Sequence, residues 1–438
     1  MNTKILKREM MKYIVPSMLA MLLSGFYAIV DGLFIGNAVG NTALGAINIV
    51  WPLQCLINAT SIGLGVGSAV LMSTYLGNDR MDQANKTCGL GMMLLFSTGI
   101  LLPLSLYAFL PHLFSFLGVT PDLDALCRQY IVVLLLGGIF PTLGNGLNPL
   151  IRNRGKTVSA TLIMSSGLVT NIILDYLLVF YWRLGLFGAG LATMLSQAVV
   201  AVLSLLFLWF QEHDVFQRNH FHWDLKEVGK IVHIGISPFG QTLVPSLVII
   251  FTNWKCIQYG GSAAVTVFSV VSYVLGTMQL LLQGIGDGVQ PLLSFYKGAH
   301  KEDEVSWIFK HAFYITCIFS LLCSIIVWRY ADILSLLFGI ESTLLGMCMH
   351  ALRLAAISFI GLGIARLICS FFYATGSQRE STVLVYIEPC LIMPLGLLIM
   401  SLLFQLEGVW MAYPIVQFII AGLSLALKKH RTLHPGYE

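Results

Sequence analysis

Long apolar runs separated by short polar stretches follow one another along the whole chain. A membrane-spanning helix needs about 20 mostly apolar residues, and twelve segments fit this requirement. We predict spans at Tyr13–Ile35, Ala43–Leu76, Cys88–Leu110, Ala125–Leu150, Val158–Trp182, Leu186–Phe210, Val232–Trp254, Ala263–Tyr296, Ile308–Trp328, Leu344–Ala374, Ser381–Phe404 and Val409–Leu427. The pattern predicts an all-α polytopic membrane protein with twelve transmembrane helices.

Composition agrees with the pattern. Hydrophobic residues make up 57% of the 438-residue chain and charged residues 11%, whereas a soluble domain carries about 25% charge. The first apolar run is too long for the apolar region of a signal peptide and lacks a small-residue cleavage site, so we expect it to remain in the mature protein. The nine cysteines are scattered, mostly within apolar segments, and are interpreted as small core residues.

Lys and Arg in the short loops predict the orientation of the helices, because these residues collect on the cytoplasmic side. With the N-terminus inside, the outer side carries only Arg128, Arg183, Lys255 and Arg329. The inner side carries eighteen: Lys4, Lys7, Arg8, Lys12, Arg80, Lys86, Arg152, Arg154, Lys156, Arg218, Lys226, Lys230, Lys297, Lys301, Arg379, Lys428, Lys429 and Arg431. We therefore expect a plasma (inner) membrane protein with both termini in the cytoplasm, whose net charge of +4 requires no nucleic-acid partner.

The chain repeats itself at an offset of 221 residues. Without a gap, Gly63, Gly65, Gly67, Ser73, Tyr75 and Gly77 coincide with Gly284, Gly286, Gly288, Ser294, Tyr296 and Gly298. Six helices per repeat make the repeats parallel, as in transporters whose two bundles rock about a central site. We predict an N-terminal lobe at 1–210, a cytoplasmic linker at 211–230 and a C-terminal lobe at 231–438. The Gly-x-Gly stretches are interpreted as close helix packing, since a nucleotide-binding fingerprint requires a preceding strand.

Ionisable residues inside a bilayer are functional candidates by default, and one group lies in the first repeat. At 1.5 Å per residue, Asp31, Asp175 and Thr193 lie at similar depths of about 6 to 11 Å from the outer side. Tyr27 precedes Asp31 by four residues and Asn171 precedes Asp175 by four, so each pair shares a helix face. The pattern predicts that two carboxylates, an amide, a hydroxyl and a phenol meet.

This group suits either of two coupling ions. A sodium ion prefers oxygen ligands, which Asp31, Asn171, Asp175 and Thr193 supply. Two carboxylates in a low-dielectric site do not easily both ionise, so the pair could also exchange protons as a unit. The second repeat lacks the group, since its equivalent positions are Thr252, Ile392, Gly396 and Tyr413. The alternative is a hydrogen-bonded network that only fixes helix packing.

A second group of charged residues lies in the second repeat, nearer the cytoplasm. Asp287, Arg366 and Glu388 share a depth, and pairing of opposite charges there would form either a structural salt bridge or a gate. Gln197 and Gln283 are further candidates for the cavity or a gate. Some of the 26 Phe and 17 Met suit a permissive pocket. His220 and His222 are interpreted as part of a solvated loop, with a metal site as the weaker alternative.

Several motifs resemble those of one family of secondary transporters. They are "VDGLFIGNAVGNTALGA", "LNPLIRNRGK", "NIILDYLLVF", "GLFGAGLATMLSQ", "GIGDGVQPLLSFYKGA" and "FFYATGS". In order and spacing they resemble the multidrug and toxic compound extrusion (MATE) family over nearly the whole chain. The resemblance implies two six-helix lobes arranged as a V, and export of cationic or amphipathic drugs in exchange for H⁺ or Na⁺.

The resemblance also implies an ion site at Asp31, Asn171, Asp175 and Thr193, with Tyr27 beside it. We expect a membrane-embedded protein that acts as a monomer, with no cofactor other than the coupling ion. The acidic seventh-helix residue of one family branch is not matched, since "SPFGQTLVPSLVIIFTNW" carries only Gln241 and Thr242 as early polar groups. The alternative is a lipid-linked precursor flippase of the same superfamily, although deep positive charges are few. An enzyme lacks a supporting motif, and a passive channel fits two lobes with a one-sided acidic site less well.

Overall fold

The computed structural model describes residues 3–38, 41–119 and 121–433, with side chains except those of 26–38, 41–42, 44–45 and 432–433. Helices account for every regular element of this part of the chain. The α-helices are α1 (Thr3–Ala38), α2 (Asn41–Gly77), α3 (Met81–Ala108), α4 (Leu110–Leu117), α5 (Pro121–Leu136), α6 (Ile139–Asn153), α7 (Thr157–Asp175), α8 (Gly185–Gln211), α9 (Leu225–Gly298), α10 (Glu302–Arg329), α11 (Ala331–Leu337), α12 (Leu345–Ala374), α13 (Gln378–Ile387) and α14 (Met393–Leu433). π-Helical turns lie at Tyr176–Tyr181 and Glu388–Ile392, and 3₁₀ turns at His213–Phe216 and Arg218–His220.

Twelve helical segments correspond to the twelve predicted spans. Eight described helical stretches are long and apolar enough to cross a membrane, and the bent pair α5–α6 gives a ninth. Two of the eight are double, because α9 breaks at Gly261 (φ 62°) and α14 breaks at Gln405 (φ 53°). Helix α1, which contains the first predicted span, completes the set. The predicted all-α polytopic class is confirmed.

The fourth predicted span is bent rather than straight. Helices α5 and α6 meet at an angle of 55°, around Gly137 and Gly138. Two adjacent glycines lower the cost of a kink, and the Gly138 Cα lies directly against the Pro103 ring of α3, where a side chain would collide. Pro141, in the first turn of α6, brings no backbone N–H to the bend. Apolar run length alone did not predict this bend.

The described chain divides into two compact units. The N unit comprises Leu23–Leu243 and Ser294–Glu302, and the C unit comprises the chain up to Leu22, Val244–Leu293 and the chain from Asp303 onward. The predicted boundaries at 210 and 231 follow the sequence repeat. The compact units differ from the repeat, because each contains the first part of the helix that opens the other repeat.

Close packing at glycines explains why the first part of α1 belongs to the C unit and the first part of α9 to the N unit. In the C unit, a methyl group added at Gly284 of α9 would come within 2.9 Å of Met18 Cα in α1. In the N unit, a methyl group at Gly63 of α2 would come within 2.9 Å of the Gly235 carbonyl oxygen in α9. Gly63 and Gly284 are related by the 221-residue offset, so the repeat in sequence is also a repeat in packing.

The predicted linker is folded against the N unit. Glu212 accepts a hydrogen bond from Arg154 at 2.6 Å, and the side chains are 21% and 6% exposed. Arg154 also donates to Asn85 of α3 at 2.6 Å. His220, interpreted above as part of a solvated loop, is buried, with its backbone against Gly89 and its ring 3.4 Å from Asp82. Packing on α3 and α6 therefore orders a segment whose polar composition indicated solvent exposure.

Candidate functional site

A stripe of buried residues runs along α7 and ends in the predicted ion ligands. Gly167, Asn171 and Asp175 follow one another at intervals of four, and all three are buried. This spacing places their side chains on one face of the helix. Asn171 and Asp175 are each 1% exposed. The sequence prediction that the two residues share a face is reproduced by the helix.

Contacts between α7 and α8 set the level of Thr193. The Gly167 Cα packs on the Val200 side chain of α8. A methyl group added at Gly188 of α8 would lie 3.0 Å from the Leu178 carbonyl oxygen. Because the chain reverses direction between the two helices, these contacts align Asn171 with positions near 194. Thr193, which is 6% exposed, therefore lies at the level of Asn171 and Asp175.

The helix changes its winding directly after Asp175. Residues Tyr176–Tyr181 form a π-helical turn, and the Trp182 N–H donates to the Leu177 carbonyl at 2.8 Å. Such turns are rare and frequently accompany functional sites. Arg183, with φ 54°, then reverses the chain into α8. A wide turn after Asp175 rotates the following residues away from an ideal α-helical register, which apolar periodicity could not reveal.

Polar atoms of this group are available for a ligand. The side-chain amide of Asn171 and the hydroxyl of Thr193 are buried without a hydrogen-bond partner among the described residues. Buried polar groups are nearly always paired, so exceptions require an explanation. The side chains of Tyr27 and Asp31 lie outside the described residues. Asn171, Asp175 and Thr193 supply an amide oxygen, a carboxylate and a hydroxyl. These oxygen ligands fit a hard monovalent cation.

A small cavity extends from Thr193 into the N unit. Its polar lining consists of Thr193 and Gln197 on α8 with Gln54 and Asn58 on α2. Asn58 accepts a hydrogen bond from Asn145 at 3.3 Å. Gln197 was predicted for the cavity, whereas Gln54 and Asn58 were not predicted. The missed signal was two amides four residues apart in an apolar helix.

The three residues of the second charged group, Asp287, Arg366 and Glu388, all lie in the C unit. Glu388 accepts a hydrogen bond from Gln417 at 2.7 Å. No ion pair among the described residues joins Arg366 to Glu388 or Asp287. The three charged side chains are 5% to 8% exposed. The burial of each charge is consistent with either a gate or a packing role.

Gln197 and Gln283 complete the predicted group. Gln417, which donates to Glu388 and was not predicted for the group, is the repeat counterpart of Gln197 at an offset of 220. Gln283 lies on α9 one turn before Asp287 and is partly buried. Within the described part of the chain, no cluster of three His, Cys, Asp or Glu could hold a metal ion, which applies also to the surroundings of His220 and His222.

This chain is similar to known proteins along almost its whole length. The MatE family model matches residues 16–177 and 239–398. The multidrug export protein MepA of Staphylococcus aureus (strain N315) is 25% identical over 422 residues, which cover 96% of this chain and 93% of the relative. MepA of Staphylococcus saprophyticus is 23% identical over 421 residues and covers 96% and 93%.

Solved structures share the fold. A crystal structure of MATE in complex with MaL6 superposes with a TM-score of 0.92 at 21% identity and covers 97% of this chain and 96% of its own. An outward-facing multidrug resistance MATE family transporter of the MOP superfamily gives a TM-score of 0.92 at 20% identity, with coverage of 97% and 96%. At these identities the likeness concerns the fold.

Proposed function

Since this chain belongs to the MatE family of membrane transporters, we propose that it exports cationic or amphipathic small molecules in exchange for H⁺ or Na⁺. The resemblance drawn from the sequence motifs is confirmed, and the chain is a transporter and not an enzyme. One observation carries the ion-coupling part of the proposal. Asn171, Asp175 and Thr193 form a buried oxygen-rich group in a protein whose relatives are named multidrug export proteins.

The proposed cycle couples the charge state of this group to the shape of the N unit. From outside, an ion binds between Asp31 and Asp175 and lowers their combined negative charge by one, which weakens the repulsion between the two carboxylates. Helix α1 then repacks near Gly25, Gly32 and Gly36, the cavity contracts and the drug leaves. Return to the inward state releases the ion to the cytoplasm, and a new substrate enters by alternating access.

The oxygen ligands of this group could bind either of two coupling ions, each through a different set of residues. Sodium would use the Asn171 amide oxygen and the Thr193 hydroxyl together with carboxylates. A proton would use only the carboxylate pair. The orientation with both termini in the cytoplasm, the plasma-membrane location and action as a monomer belong to the same proposal. The names of the relatives do not favour the flippase alternative.

Efflux from proteoliposomes tests the proposal. The purified chain is reconstituted, a fluorescent lipophilic cation is loaded, and a pH gradient or a sodium gradient is imposed separately. We expect one gradient to drive export, and we expect Asp31→Asn and Asp175→Asn to abolish it. The matched control is Asp303→Asn, which changes an exposed carboxylate of α10 and should export at the unmodified rate. Gradient-driven export that persists in both Asn variants would refute the coupling site.

A further inference from the structure

A lysine lies between two aromatic rings at the end of the C unit that the Lys and Arg distribution predicts to be cytoplasmic. The Lys428 ammonium of α14 is 4.1 Å from the ring centroid of Phe309 in α10 and 5.2 Å from that of Phe371 in α12. The two rings meet edge to face, with centroids 4.7 Å apart. This cation–π contact brings the ends of α10, α12 and α14 together at one level.

Two further lysines, Lys310 of α10 and Lys429 of α14, lie at the same level, because each follows a residue of this contact in the chain. Both are exposed. Lys310 is the third residue of the span predicted at Ile308–Trp328, and Lys429 is the second residue after the span predicted at Val409–Leu427. At 1.5 Å per residue, each lies about 3 Å from the predicted inner boundary, where lysine side chains extend to the lipid headgroups.

Each of these two lysines stands at the end of an exposed apolar stripe. Exposed residues recur along both helices at intervals of three and four, which places them on one helix face. Such a face on a membrane-spanning helix is in contact with the acyl chains of the lipid. The stripe leads away from Lys310 on α10 and toward Lys429 on α14, and its exposed members include Tyr314, Ile318 and Leu321 on α10 and Phe418, Gly422 and Leu425 on α14.

The positive charge of this pair is not compensated nearby. Among the described residues, neither Lys310 nor Lys429 has an ion-pair partner. Glu380 of α13 is bound to Arg431 at 2.7 Å. The acidic residues in the first turn of α10 lie about 9 Å or more along the helix axis from Lys310, which exceeds the screening length of about 8 Å at physiological ionic strength. Two lysines therefore present uncompensated charge where the apolar stripes end.

We propose that the inner ends of α10 and α14 bind an anionic phospholipid. The lipid phosphate accepts charge-assisted hydrogen bonds from the ammonium groups of Lys310 and Lys429, and the acyl chains lie along the two apolar stripes. Basic sites between helix ends at the cytoplasmic side are typical of anionic lipid headgroup recognition. The site belongs to the C unit and is distinct from the ion-coupling group, so lipid binding depends neither on the proposed export function nor on the predicted orientation.

Quenching of a local fluorophore by labelled lipids tests the proposal at the site. In a Cys390→Ser background, which removes the exposed native cysteine, bimane is attached to Tyr314→Cys, one turn after Lys310. The full-length protein is placed in phosphatidylcholine nanodiscs with a small fraction of phosphatidylglycerol or phosphatidylcholine that carries an acyl-chain nitroxide. We expect stronger quenching by the labelled phosphatidylglycerol at equal mole fraction. Unlabelled phosphatidylglycerol should abolish the difference, and Leu425→Cys provides a second reporter if Tyr314→Cys does not fold.

A reporter at the opposite end of the C unit separates local binding from a general preference for one lipid. Bimane at Leu402→Cys, which is exposed and distant along the chain from the lysine pair, should be quenched equally by the two labelled lipids. Equal quenching at both Tyr314→Cys and Leu425→Cys would overturn the proposal. Stronger quenching by phosphatidylglycerol at Leu402→Cys of the same size as at Tyr314→Cys would overturn it too.

Substitutions of the lysines identify the residues that hold the headgroup. Lys310→Gln and Lys429→Gln should each lower the preference for phosphatidylglycerol by about fivefold, whereas Lys310→Arg should retain it because the charge is kept. Lys156→Gln makes the same charge change at an exposed lysine of the N unit and should leave the preference unchanged. If Lys310→Gln and Lys429→Gln reduce the preference no more than Lys156→Gln does, the lysine pair is not a lipid site.

Discussion

The phenol of Tyr75 donates a hydrogen bond to the carboxylate of Glu227, with oxygen distances of 3.1 and 3.2 Å. Tyr75 belongs to α2 of the first repeat, whereas Glu227 begins α9 of the second repeat. Lys230, one turn further along α9, pairs with the same carboxylate at 2.6 Å. Both helix ends lie at the face predicted to be cytoplasmic, so this bond joins the two repeats there.

Removing the phenol hydroxyl should weaken this junction. A hydrogen bond to a charged group contributes about 1.5 kcal/mol, so Tyr75→Phe should shift the conformational equilibrium about tenfold away from the state described here. Spin labels at Gln83→Cys and Lys226→Cys, both exposed in the N unit, report the distance between the end of α2 and the beginning of α9. We expect Tyr75→Phe to add a longer population to the distance distribution. Tyr314→Phe, an exposed tyrosine of α10, is the control, and identical distributions would contradict the prediction.

The C-terminal ends of α2 and α9 form a second contact, which is packed too tightly to accept a side chain. A methyl group at Gly77 would collide with the Phe295 carbonyl oxygen and lie 2.8 Å from the Ala299 nitrogen. A methyl group added at the repeat-related Gly298 would collide with the Thr74 carbonyl oxygen in the same way. We expect Gly77→Ala to separate the ends of α2 and α9 and to lower efflux in proteoliposomes. Gly422→Ala, where an added methyl group meets nothing within 4 Å, should export normally, and equal efflux from the two variants would show that the close contact is dispensable.

The spans could be predicted because each one is encoded locally by the length of an apolar run. The repeat could be predicted because Gly63 and Gly67 recur at Gly284 and Gly288, where they accept a neighbouring backbone. Hydropathy does not indicate which helix that neighbour is. For this reason the exchange of helix ends between the two units was not foreseen.

The candidate site was predicted in part for a similar reason. Asn171, Asp175 and Thr193 were found because a carboxylate in an apolar span is conspicuous and because helix rise gives its depth. The π-helical turn after Asp175 has no hydropathy signature. Gln54 and Asn58 carry no charge, and only the fold brings them to the cavity beside Thr193. The sequence thus predicts which groups lie in the membrane better than it predicts their packing.

The ion pair between Arg154 and Glu212 should stabilise the fold of the linker. Both side chains are largely buried, and removal of one partner leaves a charge with reduced solvation, at a cost of about 3 kcal/mol. We expect Arg154→Gln to lower the Tm measured in detergent. Lys86→Gln, which breaks an exposed pair with Asp82, should have a much smaller effect because surface pairs contribute about 0–1 kcal/mol. A double-mutant cycle with Glu212→Gln isolates the interaction energy of the pair. An interaction energy near zero would refute the prediction that the ion pair stabilises the linker.

Variants that remove or keep the Thr193 hydroxyl distinguish sodium coupling from proton coupling. If sodium is bound by the hydroxyl, Thr193→Ala removes a ligand of about 1 kcal/mol and raises the sodium concentration for half-maximal export by about fivefold. Thr193→Ser retains the hydroxyl and should restore the unmodified value, which separates ligation from loss of packing. If a proton is exchanged by the carboxylates alone, neither variant should shift the pH dependence of export. An equal loss of export in the Ala and Ser variants at every ion concentration would instead assign Thr193 to helix packing between α7 and α8.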